Sequence, residues 1–295
     1  MNPEQAAIRN IDGQKRIDEI KVTAEKLLPM HTHLKEVMEM MSIHPENFGN
    51  CYDRSEINSD QQYVARMNKI FQGQAHERGP NGLTQGEVRK LAELLEYQII
   101  SGINIGKWLP GCTAIKTSEY DDIKNGVDLV LSYKQGNESG HLGLGVDISF
   151  SHNLDKKFQR IKDEIDAYDG VDNMLGEVKY FSDRKAHKRT GLNGIPRVIA
   201  ALDLGVMEDL GRVKNGGPGH IARHTIVHEM EVQLAVFADY ARKHNPLCMD
   251  QIMRAQNLMH NMSIVLESEN TLRDSEYRKN DKMQDVIEKG LSIFR

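Results

Sequence analysis

The chain has 295 residues, of which 39% are apolar and 27% charged, so it can bury a sizeable core and is not a disordered polymer. Its 38 basic residues are outnumbered by 43 acidic ones, which excludes a generic polyanion binder but allows a local basic stripe. We find no apolar run of membrane-spanning length, no signal peptide, and no disulfide or zinc-knuckle pattern among three cysteines. We therefore expect a cytoplasmic protein without a membrane partner.

The two ends of the chain have helical patterns. Apolar residues recur at helical spacing in the first part, where Pro29 and Pro45 predict breaks between several helices. The turn-rich segment 76–82 marks a boundary, and after Pro246 the sequence is again polar, Met-rich and helical. The prediction is three regions: an N-terminal helical region at 1–82, an α/β domain at 83–243, and a C-terminal helical extension at 244–295.

The middle region mixes helices and strands. Thr84 is the predicted cap of its first helix, which ends before Pro110. Two apolar strands, joined by a turn-rich hairpin, precede a helix, two further strands and a long closing helix. Their predicted ranges are 126–133, 142–150, 153–165, 177–181, 195–202 and 220–241. This order predicts an α/β layer with a mixed sheet.

An aspartate interrupts each of the two most apolar strands. Asp128 follows Val127 in the first, and Asp147 lies between Val146 and Ile148 in the second. Buried ionised carboxylates need a partner, and two of them on neighbouring strands repel unless a cation lies between them. We expect a divalent cation there; the alternative is that each aspartate ends its strand or pairs with a lysine.

Helix, Gly126-Val-Asp128, hairpin, Asp147-Ile-Ser149, helix and strand together resemble the PD-(D/E)XK nuclease superfamily over roughly residues 85–205. The run from Glu119 through Asp147 to Phe181 is more narrowly similar to uncharacterised bacterial proteins of that type. The resemblance implies a restriction-endonuclease-like αβββαβ core with flanking helices. It also implies Mg²⁺ (or Mn²⁺) on Asp128, Asp147 and the Ile148 carbonyl, with water activated for phosphodiester hydrolysis. In part of the superfamily a glutamate of the first helix completes the metal site.

Glu96 is the candidate for that glutamate, because it lies beside the apolar stripe of the first helix; the alternative is an amphipathic edge position. Glu119, Asp121 and Asp122 precede the Asp128 strand and either approach a second cation or form an ordinary polar turn.

The sequence departs from the superfamily pattern at Ser149, which occupies the place of the motif lysine and cannot stabilise developing negative charge as an ammonium does. If the protein cuts, a lysine from a neighbouring element must replace it. Lys157, in the first turn of the following helix, is our first choice and Lys179, on the next strand, the second. The alternative is that these lysines, with Lys156, are solvated surface residues.

The densest basic segment lies between the last two predicted strands and consists of Arg184, Lys185, Lys188 and Arg189. Such a loop could neutralise nucleic-acid phosphates, of DNA rather than RNA, or it could be an ordinary solvated loop.

Two hypotheses of different classes follow from these observations. The first is a metal-dependent nuclease, in which a cation on Asp128 and Asp147 activates water. The second is a catalytically degenerate relative that binds a protein or nucleic acid, since Met-rich helices suit an adaptable interface. The sequence does not predict the oligomeric state.

Overall fold

The computed structural model describes residues 3–135, 138–150, 153–183, 188–213, 217, 220–268 and 283–295. Its helices are α1 (Pro3–Met41), α2 (Arg54–Gln74), α3 (Gln85–Asn104), α4 (Asp155–Ala167), α5 (Leu204–Arg212), α6 (Ala222–His244), α7 (Met249–Ser268) and α8 (Gln284–Leu291). Its strands are β1 (Cys112–Lys116), β2 (Leu129–Gln135), β3 (Glu138–Ser149), β4 (Val178–Asp183), β5 (Lys188–Leu192) and β6 (Arg197–Ala201). The predicted α/β class with a mixed sheet is confirmed.

The central sheet has four strands in the order β1-β2-β3-β6. Strand β2 is antiparallel to β1 and β3, with Leu129 opposite Val146, and β6 joins β3 in parallel. The outer edge of β6 is covered by α6, because the Gln233 side chain accepts from the Ile199 amide and donates to its carbonyl, at 2.8 and 2.7 Å. A covered edge cannot pair with another chain.

Strands β4 and β5 form a separate two-stranded antiparallel sheet. The prediction that the strand at 177–181 belongs to the main layer is therefore wrong. An apolar cluster of Val127, Val130, Val178, Phe181 and Ile195 attaches this small sheet. The buried carboxylate of Asp121 also holds it, accepting from the backbone amides of Lys179 and Tyr180 at 2.6 and 3.0 Å. The β4–β5 sheet packs against the second face of the main sheet instead of pairing at its edge. This packing buries the apolar side chains of both sheets.

Residues alternate between the two faces of the main sheet along β3. Leu144, Val146 and Ile148 lie in the principal core with residues of α3, α6 and α7. Gly145, on the opposite face, lies against Val127 and Ile195. Period-two alternation therefore directs Asp147 and Ser149 away from the principal core.

Helix α1 continues through Pro29, which contradicts the predicted break there. A proline inside a helix costs about 3 kcal/mol. Contacts on both sides of it offset this cost: Ala24 and Leu27 are buried before it, and after it His31 Nε2 lies 2.7 Å from a Glu93 oxygen on α3. Packing against a neighbouring helix thus overrides the local signal.

Helix α3 begins at the predicted cap. The Glu87 amide donates to Thr84 Oγ1 at 3.2 Å, and the Thr84 amide donates to the Glu87 carboxylate at 2.7 Å. This reciprocal capping box satisfies two amides that a helix start otherwise leaves unpaired. Among the helices formed by the described residues, none is both long and apolar enough to cross a bilayer.

Candidate metal centre

Asp128 lies immediately before β2, one residue outside the strand in which the sequence predicted it. A π-helical turn, Asp121–Asn125, leads to it and ends at Gly126, whose φ of 61° favours glycine. The Asp128 amide donates to the Val146 carbonyl at 3.0 Å, and its carboxylate accepts from the Ile148 amide at 2.5 Å. These two bonds fix the carboxylate beside the end of β3.

Three carboxylates converge at this position. Glu96, Asp122 and Asp128 each offer an oxygen that lies within 4.8 Å of the oxygens offered by the other two. They come from α3, the π-helical turn and the start of β2, so three separate elements build the group. Glu96 and Asp128 are 7% exposed. We call Glu96, Asp122 and Asp128 the carboxylate triad.

Burial and mutual repulsion disfavour ionisation of Asp122 and Asp128. Burial, with the charge of Asp128, holds the pKa of Asp122 well above its usual range. Burial and the charge of Glu96 likewise raise the pKa of Asp128. A divalent cation would relieve this repulsion. Mg²⁺ at about 2.1 Å from its ligands spans at most about 4.2 Å between oxygens, so small side-chain movements would close the triad around it.

Asp147 pairs with a lysine and not with the triad. The Lys157 ammonium forms an ion pair with the Asp147 carboxylate and donates to the Ile148 carbonyl at 3.0 Å. Burial raises the pKa of Asp147 to about 6, although the Lys157 charge opposes this shift. Burial also lowers the pKa of Lys157, but Asp147 and Asp128 outweigh it and raise that pKa. The structure therefore places Lys157 on two of the predicted metal ligands, Asp147 and Ile148.

Lys116 and Asp122 are the two members of the site that the sequence did not single out as its components. The Lys116 ammonium, on β1, forms an ion pair with Glu96. Burial opposes a charge on Lys116, but Glu96 outweighs it and raises its pKa. The short strand β1 was not predicted, and Asp122 was weighed either as approaching a second cation or as part of a polar turn. No sequence pattern predicted the π-helical turn, which directs Asp122 toward Glu96 and Asp128. The neighbouring Asp121 accepts from the Lys179 amide of β4.

The second-choice lysine lies in a different group. The Lys179 ammonium contacts Asp60 at 2.5 Å and Glu56 at 2.6 Å, both on α2, and lies 5.1–5.5 Å from the ring centres of three tyrosines. Tyr180 also donates to Asp60 at 2.7 Å. This arrangement fastens α2 to the β4–β5 sheet.

Two members of the predicted nucleic-acid-binding segment, Arg184 and Lys185, lie outside the described residues. The backbone of Lys188 pairs with that of Asp183 in the β4–β5 ladder. Arg189 is exposed, and its carbonyl accepts from the Cys51 thiol at 3.3 Å.

The site is thus built from four carboxylates and two lysines at one end of the central sheet. No family model, curated protein or solved structure matches this chain.

Proposed function

We propose that the protein is a metal-dependent nuclease that hydrolyses nucleic-acid phosphodiesters. The element order supports this proposal, because α3, β1, β2, β3, α4 and β6 follow the helix–three strands–helix–strand succession of the superfamily that the sequence resembles, with the β4–β5 sheet inserted before β6. Asp128 directly precedes Leu129 of β2 and Asp147 directly follows Val146 of β3, and Leu129 and Val146 are paired across these two adjacent strands.

The observation that carries the proposal is the carboxylate triad with Lys157 beside it. Oxygen ligands from carboxylates suit Mg²⁺ or Mn²⁺. Asp128 would connect the two parts of the site, because it belongs to the carboxylate triad and also neighbours Asp147. When bound, the cation would supply a Lewis acid for the phosphate and would lower the pKa of a water.

The chain's own residues would position and neutralise the reactants. The Ile148 amide orients the Asp128 carboxylate, and Glu96 and Asp122 complete the ligand set. The Lys157 ammonium donates to the Ile148 carbonyl in this structure. With substrate bound, it would donate to the phosphate instead and stabilise the negative charge that develops there. It would thereby replace the lysine that Ser149 displaces from the motif.

One observation favours the second candidate, a catalytically degenerate binding module. Ion pairs with Lys116 and Lys157 already neutralise Glu96 and Asp147 without a cation. In that case the cluster would be a structural element of the sheet end, and the helices would carry the binding function.

A cleavage assay separates the two candidates. Plasmid DNA, linear duplex, single-stranded DNA and RNA are incubated with the protein and Mg²⁺ or Mn²⁺. The nuclease proposal predicts cation-dependent cleavage of at least one substrate, lowered roughly a hundredfold or more by Asp128→Asn. Asp239→Asn, which changes an exposed carboxylate on α6, is the matched control and should cut like the parent. Absence of cation-dependent cleavage in all four substrates would support the degenerate alternative.

A further inference from the structure

A cavity of about 1430 Å³ leads to the carboxylate triad. Its walls come from the second half of α1, from α2 and from α3, and it is also lined by residues 116–120, 122 and 123. Glu96, Lys116 and Asp122 all contribute to the lining. Asp128 and Asp147 are only 7% and 8% exposed and do not line the cavity, so the cavity meets the site at its Glu96 and Asp122 side.

The size of the cavity argues against a duplex. One turn of duplex DNA is about 34 Å long. Spread over that length, 1430 Å³ would form a channel only about 6–7 Å wide, whereas the major groove alone is about 12 Å wide and the duplex is wider than its groove. Pockets for drug-sized ligands are about 300–1,000 Å³, so this cavity suits a few nucleotides of one strand.

The charge of the cavity also argues against a long phosphate backbone. Its described lining contains six Asp or Glu side chains and four Lys or Arg side chains. Lys35, Arg89 and Lys116 each form an ion pair with a carboxylate of the same lining, Glu39, Glu93 and Glu96 respectively. Cations that are already paired release few counterions from DNA, so electrostatic attraction would contribute little to binding.

Apolar side chains supply the remaining contact surface. Tyr97 and Met67 line the cavity from α3 and α2 and are partly exposed. Phe71 also lines it, with one face of its ring covered by the Arg89 guanidinium at 5.0 Å from the ring centre. Aromatic faces bind unpaired bases by stacking, worth about 1–3 kcal/mol per base and independent of sequence. Paired bases inside a duplex cannot offer their faces in this way.

We propose that the cavity binds a short unpaired segment of nucleic acid, a single strand or a strand end, and delivers its phosphodiester to the triad. This inference rests on the proposed nuclease function. It assigns the substrate class and predicts that duplex without ends or unpaired bases is not a substrate.

The test compares three substrates with Mn²⁺: a labelled single-stranded oligonucleotide, a covalently closed relaxed circular duplex, and bis(p-nitrophenyl) phosphate. The last is a small phosphodiester that reports on the reaction centre without filling the cavity. Ala65→Trp adds a large side chain to the cavity wall at an exposed position of α2. Gln62→Trp is the matched control, on an exposed position of the same helix outside the cavity lining.

We expect the parent and Gln62→Trp to cut the oligonucleotide and the small diester but not the closed circle. Ala65→Trp should cut the oligonucleotide at least about tenfold more slowly and the small diester at nearly the parent rate. Equal or faster cutting of the closed circle, or unchanged oligonucleotide cutting by Ala65→Trp, would overturn the inference while leaving the nuclease function intact. Failure to hydrolyse any of the three substrates would overturn the nuclease function, and the inference with it.

Discussion

Asp147 is a buried acid that forms an ion pair with Lys157, yet burial outweighs the Lys157 charge and raises the pKa of Asp147 to about 6. An acid with a raised pKa in the folded state binds its proton more tightly there than in the unfolded chain. Its contribution to stability is therefore present below the unfolded pKa, near 3.8, and is lost as the pH rises through about 6. At neutral pH the ionised carboxylate opposes folding.

We predict that Asp147→Asn stabilises the metal-free protein at pH 7, and that this gain vanishes as the pH falls from about 6 toward 4. Mg²⁺ should raise the melting temperature of the parent by mass action, and Asp128→Asn, which removes a ligand of the carboxylate triad, should lose most of that rise. Thermal melts at pH 4, 5, 6 and 7, with and without millimolar Mg²⁺, measure both effects. A constant difference between Asp147→Asn and the parent over this range would contradict the pKa argument. Identical responses of Asp128→Asn and the parent to Mg²⁺ would contradict a cation on the carboxylate triad.

Lys157 and Lys179 differ in what surrounds their ammonium groups. The first touches Asp147 and the Ile148 carbonyl, whereas the second is held by Asp60 and Glu56 on α2. We predict that Lys157→Ala lowers the cleavage rate several hundredfold while metal binding is retained, because the transition state loses its positive partner.

Lys179→Ala should lower thermal stability and change the cleavage rate far less, since it removes a link between α2 and β4. Lys156→Ala, an exposed neighbour of Lys157, serves as the control and should match the parent. Single-turnover cleavage and calorimetric Mn²⁺ titration of the three variants supply the measurements. A Lys157→Ala protein that cuts at the parent rate would show that this lysine does not replace the missing one.

At the scale of elements, α3 connects the N-terminal helices to the sheet. Its inner face is buried from Leu91 to Ile103, and Gly102 permits the indole of Trp108 to lie directly against the helix backbone. The indole N–H donates to the Gly217 carbonyl at 3.1 Å. The chain's single tryptophan thus reports on the packing of the helix that carries Glu96.

A methyl group at Gly102 would overlap the Trp108 ring, so we predict that Gly102→Ala destabilises the protein by about 1–3 kcal/mol. Gly73→Ala is the matched control, because nothing lies within 4 Å of a Cβ there, and alanine in a helix should gain about 0.5–1 kcal/mol. Urea unfolding followed by tryptophan fluorescence measures both values. Equal stability of Gly102→Ala and the parent would mean that the ring can move aside at little cost.

At the scale of the whole molecule, the partly buried lysines have two different structural roles. Lys116 and Lys157 lie among the carboxylates at the sheet end, while Lys179 fastens α2, one wall of the cavity. Helix α2 has only Ile57 and Asp60 fully buried among the residues described, so polar contacts contribute much of its attachment. The wall of the cavity is therefore held by ion pairs and hydrogen bonds more than by an apolar core.

Local patterns in the sequence determined the class of the fold and several of its elements. The capping box of Thr84, the alternation along β3 and the apolar stripe of α4 each depend on neighbours within a few residues, which is why they could be predicted. The helix through Pro29 and the short strand β1 could not, because distant contacts stabilise both against weak or opposing local signals.

The same division applies to the candidate site. Asp128 and Asp147 could be predicted because they are charged residues inside apolar runs. Burying a carboxylate costs so much free energy that a carboxylate at a buried position indicates a specific role. Asp122 and Lys116 carry no such signal; their positions depend on the π-helical turn and on β1 pairing with β2. Only the tertiary structure decided that Asp122 joins Glu96 and Asp128, that Lys157 pairs with Asp147, and that Lys179 lies with α2. Such convergence depends on how separate elements pack in space, and residue spacing along one chain does not encode it.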